Sequence, residues 1–150
     1  MIQARYTHTN IIAQDWKRLA RFYQDVFGCV PVLPERNLSG VWLEDATHVP
    51  DAALQGMHLR LPGHGPQGPT LEIFGYNAYV DRPEPATNRP GFAHLAFVVE
   101  DVAAARAAVL AAGGMDHGAL VETDVPGAGH LTFIYARDPE GNILELQHWS

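Results

Sequence analysis

The sequence predicts an α+β fold built from two tandem βαβββ modules. Three observations predict it. First, the chain repeats itself: YTHTNIIAQDWKRLARFYQDVFG, from Tyr6, is matched by FAHLAFVVEDVAAARAAVLAAGG, from Phe92. His8 lies seven positions before Asp15, and His94 lies seven before Asp101. Second, each copy passes from a strand-like stretch into a helical pattern that stops at a glycine, Gly28 or Gly113. Third, each half ends on a short apolar segment around a single glutamate, TLEIFGY at Glu72 and NILELQHW at Glu145.

The elements follow in order. Tyr6–Ile12 carries the β-branched and aromatic residues of a strand. Asp15 stands where an N-cap belongs, and Trp16, Leu19, Ala20, Tyr23, Val26 and Phe27 give the apolar stripe of a helix. Gly28 fits the left-handed position past its end. Strands are expected at Val30–Glu35 and Met57–Leu61, then a GHGPQGP turn and the Glu72 strand. Asn37–Leu54 reads as an irregular or partly helical insertion, and Asn77–Arg89, with Pro83 and Pro85, as the joining loop. The second half repeats the plan: strand Phe92–Val99, a helix capped by Asp101, and strands near Ala119–Glu122 and Leu131–Arg137. ARDPEGN then forms a turn, with Gly141 free to take positive φ, before the Glu145 strand. The chain is thus read as one domain, with module one about 1–76, a linker about 77–90 and module two about 91–150. Each sheet has one face under a helix and one open. Two such sheets side by side would make a curved mixed sheet around a cavity.

Composition narrows the function. The length, 150 residues, and 47% hydrophobic content suit one folded domain rather than a disordered chain. A formal charge of −7 and the lack of any basic run argue against nucleic acid or an anionic membrane as partner. Val102–Ala112, the longest apolar stretch, is too short and alanine-rich to span a bilayer. The N-terminus has no apolar signal core, so a soluble cytoplasmic protein is expected. A lone cysteine, Cys29, rules out an internal disulfide or a cysteine zinc cluster. Eight histidines are many for this length and are the first hint of chemistry.

Strand alternation selects four residues. His94 points away from Leu95, Phe97 and Val99; Glu145 points away from Leu144 and Leu146; Glu72 points away from Leu71 and Ile73. His8 keeps company with Tyr6 and Asn10. Each module therefore offers one histidine and one glutamate on its open face. Taken singly, such residues are usually solvent-facing. Their recurrence at equivalent places in two copies points to a divalent-metal site. Two imidazoles and two carboxylates suit Zn, Ni, Co, Mn or Fe, and leave two positions of an octahedral shell for water or substrate.

HTNIIAQDWKRLARFYQDVFG, TLEIFGY, GFAHLAFVVEDV and RDPEGNILELQ together resemble the vicinal oxygen chelate superfamily. That group includes glyoxalase I, methylmalonyl-CoA epimerase, extradiol dioxygenases and bleomycin-resistance binding proteins. The resemblance covers nearly the whole chain. It implies paired βαβββ modules, metal ligands at His8, Glu72, His94 and Glu145, and a homodimer. A glutamate at position 72 is most like the glyoxalase I type, since epimerases usually have glutamine there. The implied reaction is a lyase or isomerase step on a small molecule with vicinal oxygens. A proton α to a carbonyl moves through a metal-chelated enediolate, with Glu145 or Glu72 as the catalytic base and Glu145 preferred. An acyl-CoA epimerase, an Fe(II) extradiol-type dioxygenase and a non-catalytic drug-binding protein are the alternatives. The insertion and the joining loop depart from the shortest members.

The other polar candidates carry less. His58, in MHLRL, could face the cavity, with a structural role at least as strong a reading. His130 is a candidate for the cavity mouth; His48, His64, His117 and His148 are expected in loops or near the terminus. Tyr6, Asn10, Trp42, Phe74 and Phe92 are candidate pocket walls, and Arg60, Arg89 and Arg137 candidate anion partners.

Overall fold

Both helices start where the sequence puts their caps. The Asp15 carboxylate accepts the Arg18 backbone N–H at 3.0 Å, and Asp101 accepts that of Ala104 at 2.9 Å. Gly28 closes the first helix at φ 68°, and its N–H reaches back to the Gln24 carbonyl. These features belong to a computed structural model that describes residues 1–150. It forms two compact units, Met1–Asp81 and Arg82–Ser150. The first runs β1 (His8–Ile12), α1 (Trp16–Phe27), β2 (Val30–Ser39), α2 (Val41–Thr47), β3 (Ala53–Arg60) and β4 (Thr70–Tyr76). The second runs β5 (Leu95–Val98), α3 (Val102–Ala111), β6 (Met115–Asp116), β7 (Val121–Val125), β8 (Gly129–Arg137) and β9 (Ile143–Trp149).

The fold is α+β, with one mixed sheet in each unit. The first sheet has the order β1-β4-β3-β2, and the second β5-β9-β8-β6 with β7 also on β8. In each, the first and last strands pair in parallel and the rest are antiparallel. A parallel pair needs a long crossover. Here everything between the first and last strand of the unit supplies it.

One face of each sheet lies under its helix. In the first unit α1 packs on β3 and β4. Leu19, Tyr23, Leu59, Leu71 and Ile73 are fully buried there. Each such side chain contributes about 1.5–3 kcal/mol of apolar burial. In the second, Val109 of α3 is buried with Ile134, Leu144 and Leu146. The open faces differ. In the first unit α2 covers one end of the open face, where Leu43, Ala52, Leu54 and Phe74 form a small core. Gly56 belongs to this packing, because a Cβ there would lie 2.4 Å from the Phe74 ring.

Two segments differ in detail from the sequence reading. The insertion at 37–54 is mostly regular. Leu38 pairs with Leu54 and Ser39 with Ala53, so β2 and β3 continue into it and α2 caps their hairpin. The strand expected near Ala119–Glu122 is two pieces, β6 and β7, on the same neighbour. They part where the His117 and Gly118 N–H groups both donate to the Tyr135 carbonyl, at 3.1 and 3.0 Å, as in a bulge. His148, near the terminus as expected, lies within β9, and its Nδ1 is 2.9 Å from the Val99 carbonyl.

The DPEGN turn is held from inside. Asp138 is fully buried. Its Oδ1 accepts the Glu140 and Asn142 N–H groups, each at 2.9 Å, and its Oδ2 accepts the Asn142 amide at 2.7 Å. Gly141 takes φ 82°, as the turn requires. Asp138→Ala is expected to lower the free energy of unfolding by about 2–3 kcal/mol, since it leaves buried donors without a charged acceptor. Loss of the exposed Asp101 cap should cost only about 1 kcal/mol. Urea titration of the two variants ranks them; equal losses would contradict this account of the turn.

Candidate metal centre

The parallel pairings set the site. In the first unit Asn10 stands opposite Glu72, so His8 is two residues upstream on the same face. In the second, Ala96 stands opposite Glu145, and His94 is again two residues upstream. The two halves thus repeat in hydrogen-bond register as well as in sequence. The tips meet accordingly. His8 Nε2 lies 3.5 Å from Glu72 Oε2, and His94 Nε2 lies 2.9 Å from Glu145 Oε2. Both carboxylates are largely shielded, while His8 is the more open imidazole.

The antiparallel neighbour adds a third group to each pair. His58 on β3 is directly opposite Glu72, and Tyr135 on β8 is directly opposite Glu145. His58 Nε2 lies 3.0 Å from Glu72 Oε1. Its other ring nitrogen is 3.1 Å from the hydroxyl of buried Thr70. His8, His58 and Glu72 therefore bring three donor atoms within 4.8 Å of one another. In the second unit the Tyr135 ring lies 5.2 Å from that of His94. A phenol takes the place of an imidazole there.

The electrostatics favour a neutral His58. Burial holds its pKa below the usual 6.5, against the opposing pull of Glu72, and Arg36, His8 and Arg60 push the same way as burial. A neutral imidazole is the form that binds metal. Burial, followed by the Glu145 charge, raises the Tyr135 phenol. Cys29 is buried and its thiol is pushed up to about 11, so it offers no thiolate. The donor set is thus imidazole and carboxylate with no sulfur, which fits a first-row divalent ion. An ion about 2.1 Å from its ligands separates neighbouring donors by about 3 Å in an octahedral shell. The His58 contact with Glu72, at 3.0 Å, has that spacing, and the His8 contact, at 3.5 Å, is longer.

The other candidates are engaged elsewhere. His130 pairs with Asp124 at 2.8 Å at the exposed end of the β7–β8 hairpin. His48 closes α2 in the left-handed conformation. His117 accepts the Arg137 Nε–H at 2.8 Å, so neither is a free substrate-binding group. Arg60 donates to the Gly68 carbonyl, and Arg89 to that of Glu84 at 2.9 Å. Asn10 donates to the backbone carbonyl of Glu72 and steadies the site strand. Phe74 is buried in the α2 core, whereas Tyr6, Trp42 and Phe92 are exposed. A cavity of about 280 Å³ near Trp16, Gln55 and Tyr79 includes none of the candidate ligands.

Comparison with known proteins identifies the family and the fold. Residues 5–146 match the model of the Glyoxalase/Bleomycin resistance protein/Dioxygenase superfamily. The chain belongs to that superfamily. Among solved structures, a glyoxalase family protein from Bacillus cereus is 16% identical, with a TM-score of 0.82 over 99% of this chain and 96% of the other. A glyoxylase/bleomycin resistance protein/dioxygenase domain from Frankia sp. EAN1pec is 18% identical, with a TM-score of 0.63 over 99% and 100%. A family enzyme from Burkholderia phytofirmans PsJN is 16% identical, with a TM-score of 0.60 over 98% and 100%. At such identities the likeness is one of fold. No curated protein matches the chain. No helix is long and apolar enough to cross a membrane.

One titration checks the electrostatic reading. In metal-free protein, NMR of the ring protons should give His58 and His117 midpoints below 6.5, because partial desolvation disfavours the imidazolium in both. A His58 midpoint above 6.5 would mean that Glu72 outweighs burial, contrary to this account.

Proposed function

We propose that this superfamily member is a divalent-metal-dependent lyase or isomerase of the glyoxalase I type. The observation that carries the reading is the matched pair of contacts, His8 with Glu72 and His94 with Glu145, at equivalent register in two units. The ligands we assign are His8, Glu72, His94 and Glu145, with Zn, Ni, Co, Mn or Fe as the metal. The bound ion supplies Lewis acidity to a carbonyl beside the reacting carbon.

The protein's own groups do the rest. Glu145 takes the α-proton from the substrate and returns it to the neighbouring carbon, with Glu72 as the other candidate base. The substrate class is a small molecule with neighbouring oxygens: a glutathione hemithioacetal, an acyl-CoA or another α-hydroxycarbonyl compound. A homodimer is part of the same reading. Exposed Phe92 and Val98 support it.

A second reading has an observation of its own. His8, His58 and Glu72 are two imidazoles and one carboxylate, the donor set of non-haem Fe(II) oxygenases. Oxygen uptake with a catechol by the Fe(II)-loaded protein would favour it.

The lyase reading is tested by solvent-deuterium exchange over those compounds. Glu145→Gln and Glu72→Gln should each abolish α-proton exchange, at least about 100-fold, with circular dichroism unchanged. Chelator treatment should abolish exchange in the parent, and a first-row divalent ion should restore it. Full turnover in both glutamine variants would overturn the assignment.

A further inference from the structure

We propose that His58 is a metal ligand beside His8 and Glu72. The inference rests on the metal-dependent reading above and goes beyond its ligand set of His8, Glu72, His94 and Glu145.

Four observations carry it. The register places His58 directly opposite Glu72, so its position is fixed by the β3–β4 ladder rather than by a flexible loop. Its Nε2 lies 3.0 Å from Glu72 Oε1, while His8 takes the other carboxylate oxygen at 3.5 Å. The carboxylate is thus flanked by two imidazoles whose rings stand nearly perpendicular, at 84°. Finally, the Nδ1 contact with the buried Thr70 hydroxyl fixes the ring and leaves Nε2 facing the cluster. A ligating histidine is held in this way: one nitrogen on the ion, the other on an outer partner that sets tautomer and orientation.

The second unit shows the contrast. The residue at the same register is Tyr135, so that unit offers one imidazole, one carboxylate and a neutral phenol. Its pair lacks the third donor.

The test uses the full chain and Zn²⁺ as the probe, with affinity read by competition against a chromophoric chelator. His58→Gln should weaken Zn²⁺ binding by more than about 100-fold, beyond the loss of an outer partner alone. Thr70→Val, which keeps the imidazole and frees its orientation, should cost about tenfold. In the parent, the His58 ring Nε2 resonance should shift on Zn²⁺ addition, which reports ligation even where His58→Gln fails to fold. Zn²⁺ binding by His58→Gln within about tenfold of the parent, or a stationary His58 resonance, overturns the inference and leaves the four-ligand reading standing. A parent chain that binds no Zn²⁺ overturns both readings.

Discussion

The parallel pairing of first and last strand is the constraint on which the site depends. β1 lies on β4, with His8 two residues before the partner of Glu72, and β5 lies on β9, with His94, just ahead of the strand, two residues before the partner of Glu145. Strand period sends both side chains to the open face, and the diagonal offset brings their tips together. The helix, the edge strands and the turns serve this arrangement. α1 and α3 cover the reverse faces, so that Leu71, Ile73, Leu144 and Leu146 can be fully buried beside the glutamates. A slip of one residue would turn each glutamate into the core and each leucine out of it. Register is therefore strongly specified at the places where the chemistry sits.

The edges of the two sheets are built alike. β2 carries Pro31 and Pro34, as an edge strand can, and its pairing with β3 is interrupted between Val32 and Arg36. Val32 is the residue opposite His58. In the second unit the edge breaks between β6 and β7 at the carbonyl of Tyr135. The irregularities thus flank the third member of each cluster. Bulges commonly re-aim a side chain near a functional site. What separates the units is chemical: imidazole at 58, phenol at 135.

Much of this was legible in the sequence. Asp15, Asp101 and Gly28 marked their helix ends because capping is local chemistry. The four-residue set, His8, Glu72, His94 and Glu145, emerged from the repeat, and each pair is in contact within its unit. His58 was harder for a physical reason. Its counterpart is a tyrosine, so comparison of the halves could not single it out. The available signal was the β3–β4 hairpin, whose ladder across the GHGPQGP turn sets His58 against Glu72. α2 was legible only as part of an insertion, since seven residues give too few turns for a helical period to stand out. Its role, closing one end of the open face through Leu43, depends on tertiary packing. Phe74 was read as a candidate pocket wall for the same reason, and is covered by that helix instead.

The account's central claim is that strand register gathers imidazoles and a carboxylate around one divalent ion. Anomalous diffraction at the zinc edge, from crystals of the zinc-loaded protein, tests it most directly. The account predicts a strong peak bounded by His8 Nε2, His58 Nε2 and a Glu72 oxygen. A peak confined to surface pairs such as His130 and Asp124, with none at Glu72, would contradict it.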